Sequence, residues 1–245
     1  MTGLFSNDAS LVEIDLKNFN TENVISMNEM FMGCSSLISL NLSSFNTKNV
    51  IEMDRMFASC ESLISLKIPN FNNKNLKTIE SIFDDCLSLK YLDLSGFNTE
   101  KVESMAYMFS GCYSLIELNL QNFNTEKLVK MNGMFKDCRS LVSIDLSAFN
   151  TKMVTTMNEL FFNCSELASL DLSMLDVRNL VNVSEMLTNC YSLIVLNLFN
   201  LENKNDIYIG NMFTDCNSLP ISKFQKMINF IENSDEEDYD CNYYK

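Results

Sequence analysis

Histidine and tryptophan are absent from the 245-residue chain. Without an imidazole there is no Ser-His-Asp or Cys-His constellation and no histidine metal ligand, which removes several common enzyme mechanisms together. Basic charge is also short, with 18 Lys and Arg against 32 Asp and Glu, a formal net charge of −14. Such a surface repels phosphate, so neither nucleic acid nor an anionic membrane face is expected as a partner. No apolar run approaches the roughly 20 residues of a spanning helix, so direct membrane insertion is not expected. Residues 1–16 carry three acids and no base, the opposite of a secretory signal. Cys241 is fifth from the end and does not fit the prenylation pattern. Glycine (6) and proline (2) are scarce, while 32 residues are Asn. With 47% apolar and 20% charged residues, the chain has ample material for a core.

What the chain does have is a period. Cys34, Cys60, Cys86, Cys112, Cys138, Cys164, Cys190 and Cys216 are spaced by 26 residues with no insertion or deletion. Phe19, Phe45, Phe71, Phe97, Phe123 and Phe149 form a second column on the same period, continued by Leu175 and Leu201. A gapless period of this length means stacked supersecondary units that cover one another's apolar faces.

One unit, Leu37 to Cys60, has two parts. Leu40 and Leu42 lie two apart and share one face of a short strand, with Asn41 pointing the other way. Val50, Met53, Met56, Phe57 and Cys60 recur at steps of three and four, which predicts a helix of about three turns. Thr47 precedes it as an expected N-cap, in a column with Thr21, Thr99, Thr125 and Thr151, where Asn73 and Asn203 substitute and Val177 is the exception. The Asn column before it (Asn20, Asn46, Asn72, Asn98, Asn124, Asn150, then Asp176) suits side chains that bond the backbone of a neighbouring coil. The expected fold is an α/β repeat solenoid, leucine-rich-repeat-like, with one short parallel strand plus one helix per 26-residue coil. A right-handed parallel β-helix tolerates similar periods, but the helical spacing speaks against it.

The strand pattern L-x-x-L-x-L-x-x-F-N-T resembles the leucine-rich repeat. The whole unit, with Phe45-Asn46-Thr47, Met53, Met56-Phe57, Cys60 and Ser62-Leu63, resembles the 26-residue repeat of BspA-like leucine-rich-repeat surface proteins, over roughly residues 4–219. That resemblance implies a curved solenoid used for adhesion or binding at a cell surface, with no catalytic residue. The chain departs from the family pattern in showing no signal peptide, lipid anchor or wall anchor.

The organisation expected is a solenoid over residues 1–219, a capping helix over 220–233 and an acidic disordered tail over 234–245. Leu4, Phe5 and Asp8 occupy the columns of Met30, Phe31 and Cys34, so the first unit is a truncated one. Phe224, Met227, Ile228 and Ile231 would form the apolar side of the closing helix.

Candidate chemistry is sparse. No cysteines lie two to four apart, as zinc motifs require, so the Cys column reads as a reduced structural ladder and the Met columns as core filling. No cofactor or metal is expected. Two outward strand columns remain: Glu13, Ser39, Ser65, Tyr91, Glu117, Ser143, Ser169, Val195, and Asp15, Asn41, Lys67, Asp93, Asn119, Asp145, Asp171, Asn197. The candidate binding residues on this face are Ser65, Lys67, Tyr91, Asp93, Glu117, Asn119, Ser143, Asp145 and Asp171. Asp145 and Asp171 are expected side by side, as a solvated pair or, alternatively, sharing a proton or a calcium ion. The Asn-x-Ser sequons at Asn41, Asn163 and Asn182 matter only in a eukaryotic secretory route.

The function expected is a non-enzymatic, monomeric protein- or glycan-binding module, at the cell surface by family resemblance. The alternative is an intracellular scaffold of the same fold, which suits nine thiols without obvious pairing. A carboxylate-based glycosidase acting through Asp93 or Asp145 is the remaining, weaker reading.

Overall fold

The computed structural model describes residues 1–68, 71, 73–199, 207–220 and 224. One side of the coils carries five short strands: β1 (Ser39–Asn41), β2 (Ser65–Lys67), β3 (Tyr91–Asp93), β4 (Ser169–Asp171) and β5 (Val195–Asn197). They form two parallel sheets, β1-β2-β3 and β4-β5, each in register at the repeat offset, so that Leu40 pairs with Leu66, Leu66 with Leu92 and Leu170 with Leu196. The central leucine of each strand turns inward and its two neighbours turn outward, as a period of two requires. Half a period away, single parallel bridges link Ser26, Glu52, Thr78, Ser104, Lys130, Thr156, Asn182 and Tyr208 without a break.

The repeat solenoid is present, but the helix expected over Val50–Cys60 is not; among the described residues there is no α-helix. The N–H groups of Met53, Arg55, Phe57 and Ser59 donate to carbonyls of Thr78, Glu80, Ile82 and Asp84 in the next coil, at 2.7–3.4 Å. Those of Met56, Ala58 and Cys60 close tight turns onto Met53, Arg55 and Phe57, at 3.1–3.3 Å. Donors thus alternate between stack and turn. The alternation needs residues in the left-handed region, here Arg55 (φ 54°) and Ser59 (φ 58°). The equivalents of Ser59 are Gly33, Asp85, Gly111, Asp137, Asn163, Asn189 and Asp215, residue types that favour that region. At Gly111 an added Cβ would also lie 3.0 Å from the backbone of Asp85.

Spacing explains the outcome. The rings of Phe31, Phe57, Phe83, Phe109, Phe135 and Phe161 stack at 5.2–5.8 Å between centroids. Packed helices need about 8–10 Å between axes, so one helix per coil does not fit beside a neighbour at this separation. The expected apolar face is nonetheless inside: Val50, Met53, Met56, Phe57 and Cys60 are all fully buried. Burial was legible from the steps of three and four, and the element was not. The backbone bonding between coils on two sides is a feature of the β-helix alternative.

The corners exchange two expected roles. Thr21 is not an N-cap. Its hydroxyl accepts from the N–H of Asn46 at 2.7 Å and donates to the Asn46 carbonyl at 3.0 Å, joining consecutive coils. Thr99 with Asn124, and Thr125 with Asn150, repeat the arrangement. The Asn side chains instead act within their own coil. Oδ1 of Asn20, Asn46, Asn98, Asn124 and Asn150 accepts from the N–H two residues on, an Asx turn that bends the chain.

Among the described residues the interior is a single apolar cluster running from Leu16 to Leu219. Phe5 stacks on Phe31 at 5.2 Å, which places the first residues in the same columns. Phe224 stacks on Phe213 at 5.6 Å. The rest of the expected capping helix after Pro220, and the tail over 234–245, lie outside the described residues.

Candidate functional site

The strand face is built by the same alternation that buries the central leucines. All nine candidate residues are exposed on it, and they gather around two open depressions. Ser65, Lys67, Tyr91, Asp93, Glu117 and Asn119 line one of about 530 Å³. Ser143, Asp145 and Asp171 line another of about 330 Å³.

The first depression coincides with an opening in the strand ladder. The backbone N–H of Lys90 donates to Ile64, and that of Ala168 to Val142, but Glu117–Asn119 pairs with neither adjacent coil. Side chains bridge the opening instead. The Asn122 amide donates to the Leu94 carbonyl at 3.1 Å, and the Gln121 amide donates to Asp145 Oδ2 at 2.7 Å. Tyr91, 68% exposed, stands at the margin of this opening.

The acidic and amide residues of the face have a structural duty too. Oδ1 of Asp93, Asn119, Asp145 and Asp171 accepts from the N–H two residues on, at 2.9–3.0 Å, closing an Asx turn after each strand position. The second oxygen of Asp145 accepts from the Gln121 amide and that of Asp171 from the Asn197 amide. The Ser95 hydroxyl, then its N–H, holds the Asp93 carboxyl below the usual range, with a smaller attraction from Lys67. The Ser147 N–H and hydroxyl do the same for Asp145. For Asp171 the causes are the Ser173 hydroxyl, the Asn197 amide and the Ser173 N–H. For both Asp145 and Asp171 these hydrogen bonds favour the ionised carboxylate, the form of the solvated pair expected. Among the described residues no group of three or more Cys, Asp or Glu is placed to hold a metal ion.

Away from this face, the eight ladder cysteines are free and buried. Burial pushes the Cys60 thiol up to about 12 and that of Cys216 to about 11, so neither is a nucleophile at neutral pH.

Three features escaped the sequence reading. Gln121 reaches across to Asp145. Met174 stands 78% exposed beside the second depression. A column of aliphatic residues, Val12, Ile38, Ile64, Ile116, Val142 and Ile194, is exposed next to the polar columns. The signal for this last one is in the sequence, because the column keeps the repeat period one residue before the first outward position.

Comparison with known families decides where these coils belong. The family described as "Mycoplasma protein of unknown function, DUF285" matches residues 1–117 and again 113–227. The chain is a member of the DUF285 family. Among solved structures, the leucine-rich-repeat protein of T. pallidum is similar over 79% of this chain and 81% of its own, at 23% identity and a TM-score of 0.53. A leucine-rich-repeat protein from Bacteroides ovatus matches 88% of this chain and 61% of its own, at 18% identity and a TM-score of 0.47. A leucine-rich cell surface protein from Faecalibacterium prausnitzii matches 84% and 78%, at 15% identity and a TM-score of 0.34. A comparison with curated proteins found no match. The T. pallidum likeness bears out the repeat solenoid, and the BspA-like leucine-rich-repeat assignment stands. It carries the fold alone.

Proposed function

We propose that the chain is a non-enzymatic binding module whose strand face engages a protein or glycan ligand, as a monomer at a cell surface. The carrying observation is the convergence of Ser65, Lys67, Tyr91, Asp93, Glu117 and Asn119 on one depression of the strand face. A rigid repeat presenting an exposed aromatic among polar groups supports recognition. The Asp93, Asp145 and Asp171 carboxylates are engaged in turns, and the ladder thiols are sealed in the core, which favours binding over catalysis. The intracellular-scaffold alternative rests on the free thiols. Buried thiols with raised pKa resist oxidation in either compartment, so the repeat resemblance carries the location.

The test is capture of extracellular proteins and glycans on immobilised protein. The combined Tyr91→Ala, Asp93→Asn and Glu117→Gln variant should lose capture, while Glu22→Gln with Glu126→Gln, exposed outside both depressions, should keep it. Equal capture by the first variant and wild type would overturn the proposal.

A further inference from the structure

The aliphatic column beside the strands is 45–61% exposed at Val12, Ile38, Ile64, Ile116, Val142 and Ile194. The column is broken by Lys90 and Ala168, and exposed hydrocarbon marks an interaction surface only where it gathers into a patch. The apolar character broadens at the second depression. Val195 is 54% exposed where equivalent positions carry Ser, Glu or Tyr, and Met174 is 78% exposed where they carry Asn, Ser, Gly or Ala. Both line that depression, together with Asp145 and Asp171. No Lys or Arg lines it, and neither does any aromatic ring. Each carboxylate engages one oxygen in its Asx turn and receives one amide on the other, from Gln121 or Asn197, which leaves acceptor capacity directed outward.

Two negative groups over an aliphatic floor, with no positive group beside them, call for a cation carried on an apolar body. An extended polypeptide offers this, because alternate side chains project to one side. A second copy of a chain with net charge −14 is repelled. A sugar finds no ring to stack on here. We propose that this depression docks an extended peptide segment bearing a Lys or Arg side chain flanked by aliphatic residues, with the hydrocarbon over Met174 and Val195 and the cation between Asp145 and Asp171. The inference rests on the strand face being the binding surface and names the class of ligand.

The test is fluorescence anisotropy with labelled Val-Lys repeat peptides, and with Val-Glu and Ser-Lys repeats as comparisons. Asp145→Asn with Asp171→Asn keeps the Asx turns, since Asn41 and Asn119 make the same turn in this column. This variant should weaken Val-Lys binding about tenfold or more. Met174→Ser with Val195→Ser should also weaken it about tenfold, and the charge-matched Glu22→Gln with Glu126→Gln should stay within about twofold. The Val-Glu repeat should not bind, and the Ser-Lys repeat should bind about tenfold more weakly. Equal weakening by the two acidic double variants would reduce the effect to net charge and overturn the proposal. So would displacement of the peptide by maltohexaose, or sedimentation showing self-association lost in the Met174→Ser and Val195→Ser variant. If the Val-Lys repeat fails to bind while the Tyr91, Asp93 and Glu117 variant still abolishes capture, only the ligand class falls. If that variant captures as wild type does, the binding surface itself is wrong.

Discussion

The thiol of Cys112 donates to the carbonyl oxygen of Phe83, in the preceding coil, at 3.3 Å. The same oxygen accepts the N–H of Cys86 at 3.2 Å, so two successive ladder cysteines satisfy its two lone pairs. The relationship repeats from Cys60 to Cys190 with the carbonyls of Phe31, Phe57, Phe109, Phe135 and Phe161, and at Phe5 the Cys34 thiol shares the carbonyl with the N–H of Asp8. This explains why the column holds Cys and not another small apolar residue. Cys112→Ala should cost about 1–2 kcal/mol, combining a lost hydrogen bond with a small void. Cys112→Ser, which keeps a donor, should recover part of it; denaturant unfolding measures both. In a Cys241→Ser background, the eight ladder thiols should react with a thiol reagent only on unfolding.

Asn73 occupies the position where other coils place the bridging Thr. It is 1% exposed; among the described residues its Oδ1 has no hydrogen-bond partner and its Nδ2 meets only Met53 Sδ, at 3.9 Å. Asn73→Thr should restore the bridge between coils and remove a buried unpaired acceptor. An increase in unfolding free energy of about 1 kcal/mol or more is expected. No change, or a loss, would show that the hydroxyl bridge contributes little.

Asp54 takes part in a similar bridge on the turn side, where its Oδ1 accepts from the N–H of Glu80 at 2.7 Å and the hydroxyl of Thr78 at 2.8 Å. Burial raises its pKa, and the nearby Glu80 and Glu52 add to the rise, while the two donors oppose it. The folded state therefore binds the proton more tightly than the unfolded one, and this carboxyl's contribution to stability diminishes as pH rises above the unfolded value. Asn28, one coil earlier, makes the equivalent bond to the N–H of Asp54 through an amide oxygen, at 2.8 Å. Asp54→Asn should thus raise the unfolding temperature at neutral pH, with the gain shrinking in acid. Asp93, Asp145 and Asp171, whose carboxyls are held low, act in the opposite sense and lose their contribution as pH falls through the carboxylate range.

Far-UV circular dichroism should show strand and turn signal without the α-helical double minimum. Gly111→Ala should be destabilising by about 1 kcal/mol or more, because a Cβ there would lie 3.0 Å from the Asp85 backbone at a φ of 69°, a region Ala disfavours. A strongly helical spectrum, or a neutral Gly111→Ala, would contradict the turn segment described for every coil.

The sequence by itself determined the period, the in-register stacking and the buried columns, because each is a matter of which residue types recur at equal spacing. Leu40, Met53, Phe57 and Cys60 are inside as their columns required, and Tyr91, Asp93 and Glu117 are outside. Only the tertiary structure decided how the turn side is built. Steps of three and four suit a helix, but the close ring stacking of Phe57 on Phe83 at 5.6 Å leaves no room for one, and the backbone bonds between coils instead. It also decided which corner side chain reaches the neighbouring coil. Thr and Asn can each bond backbone on either side, and the choice depends on where the next coil's N–H lies. The opening of the strand ladder at Glu117–Asn119 was likewise visible only in the structure, because this coil keeps the same period and alternation as its paired neighbours.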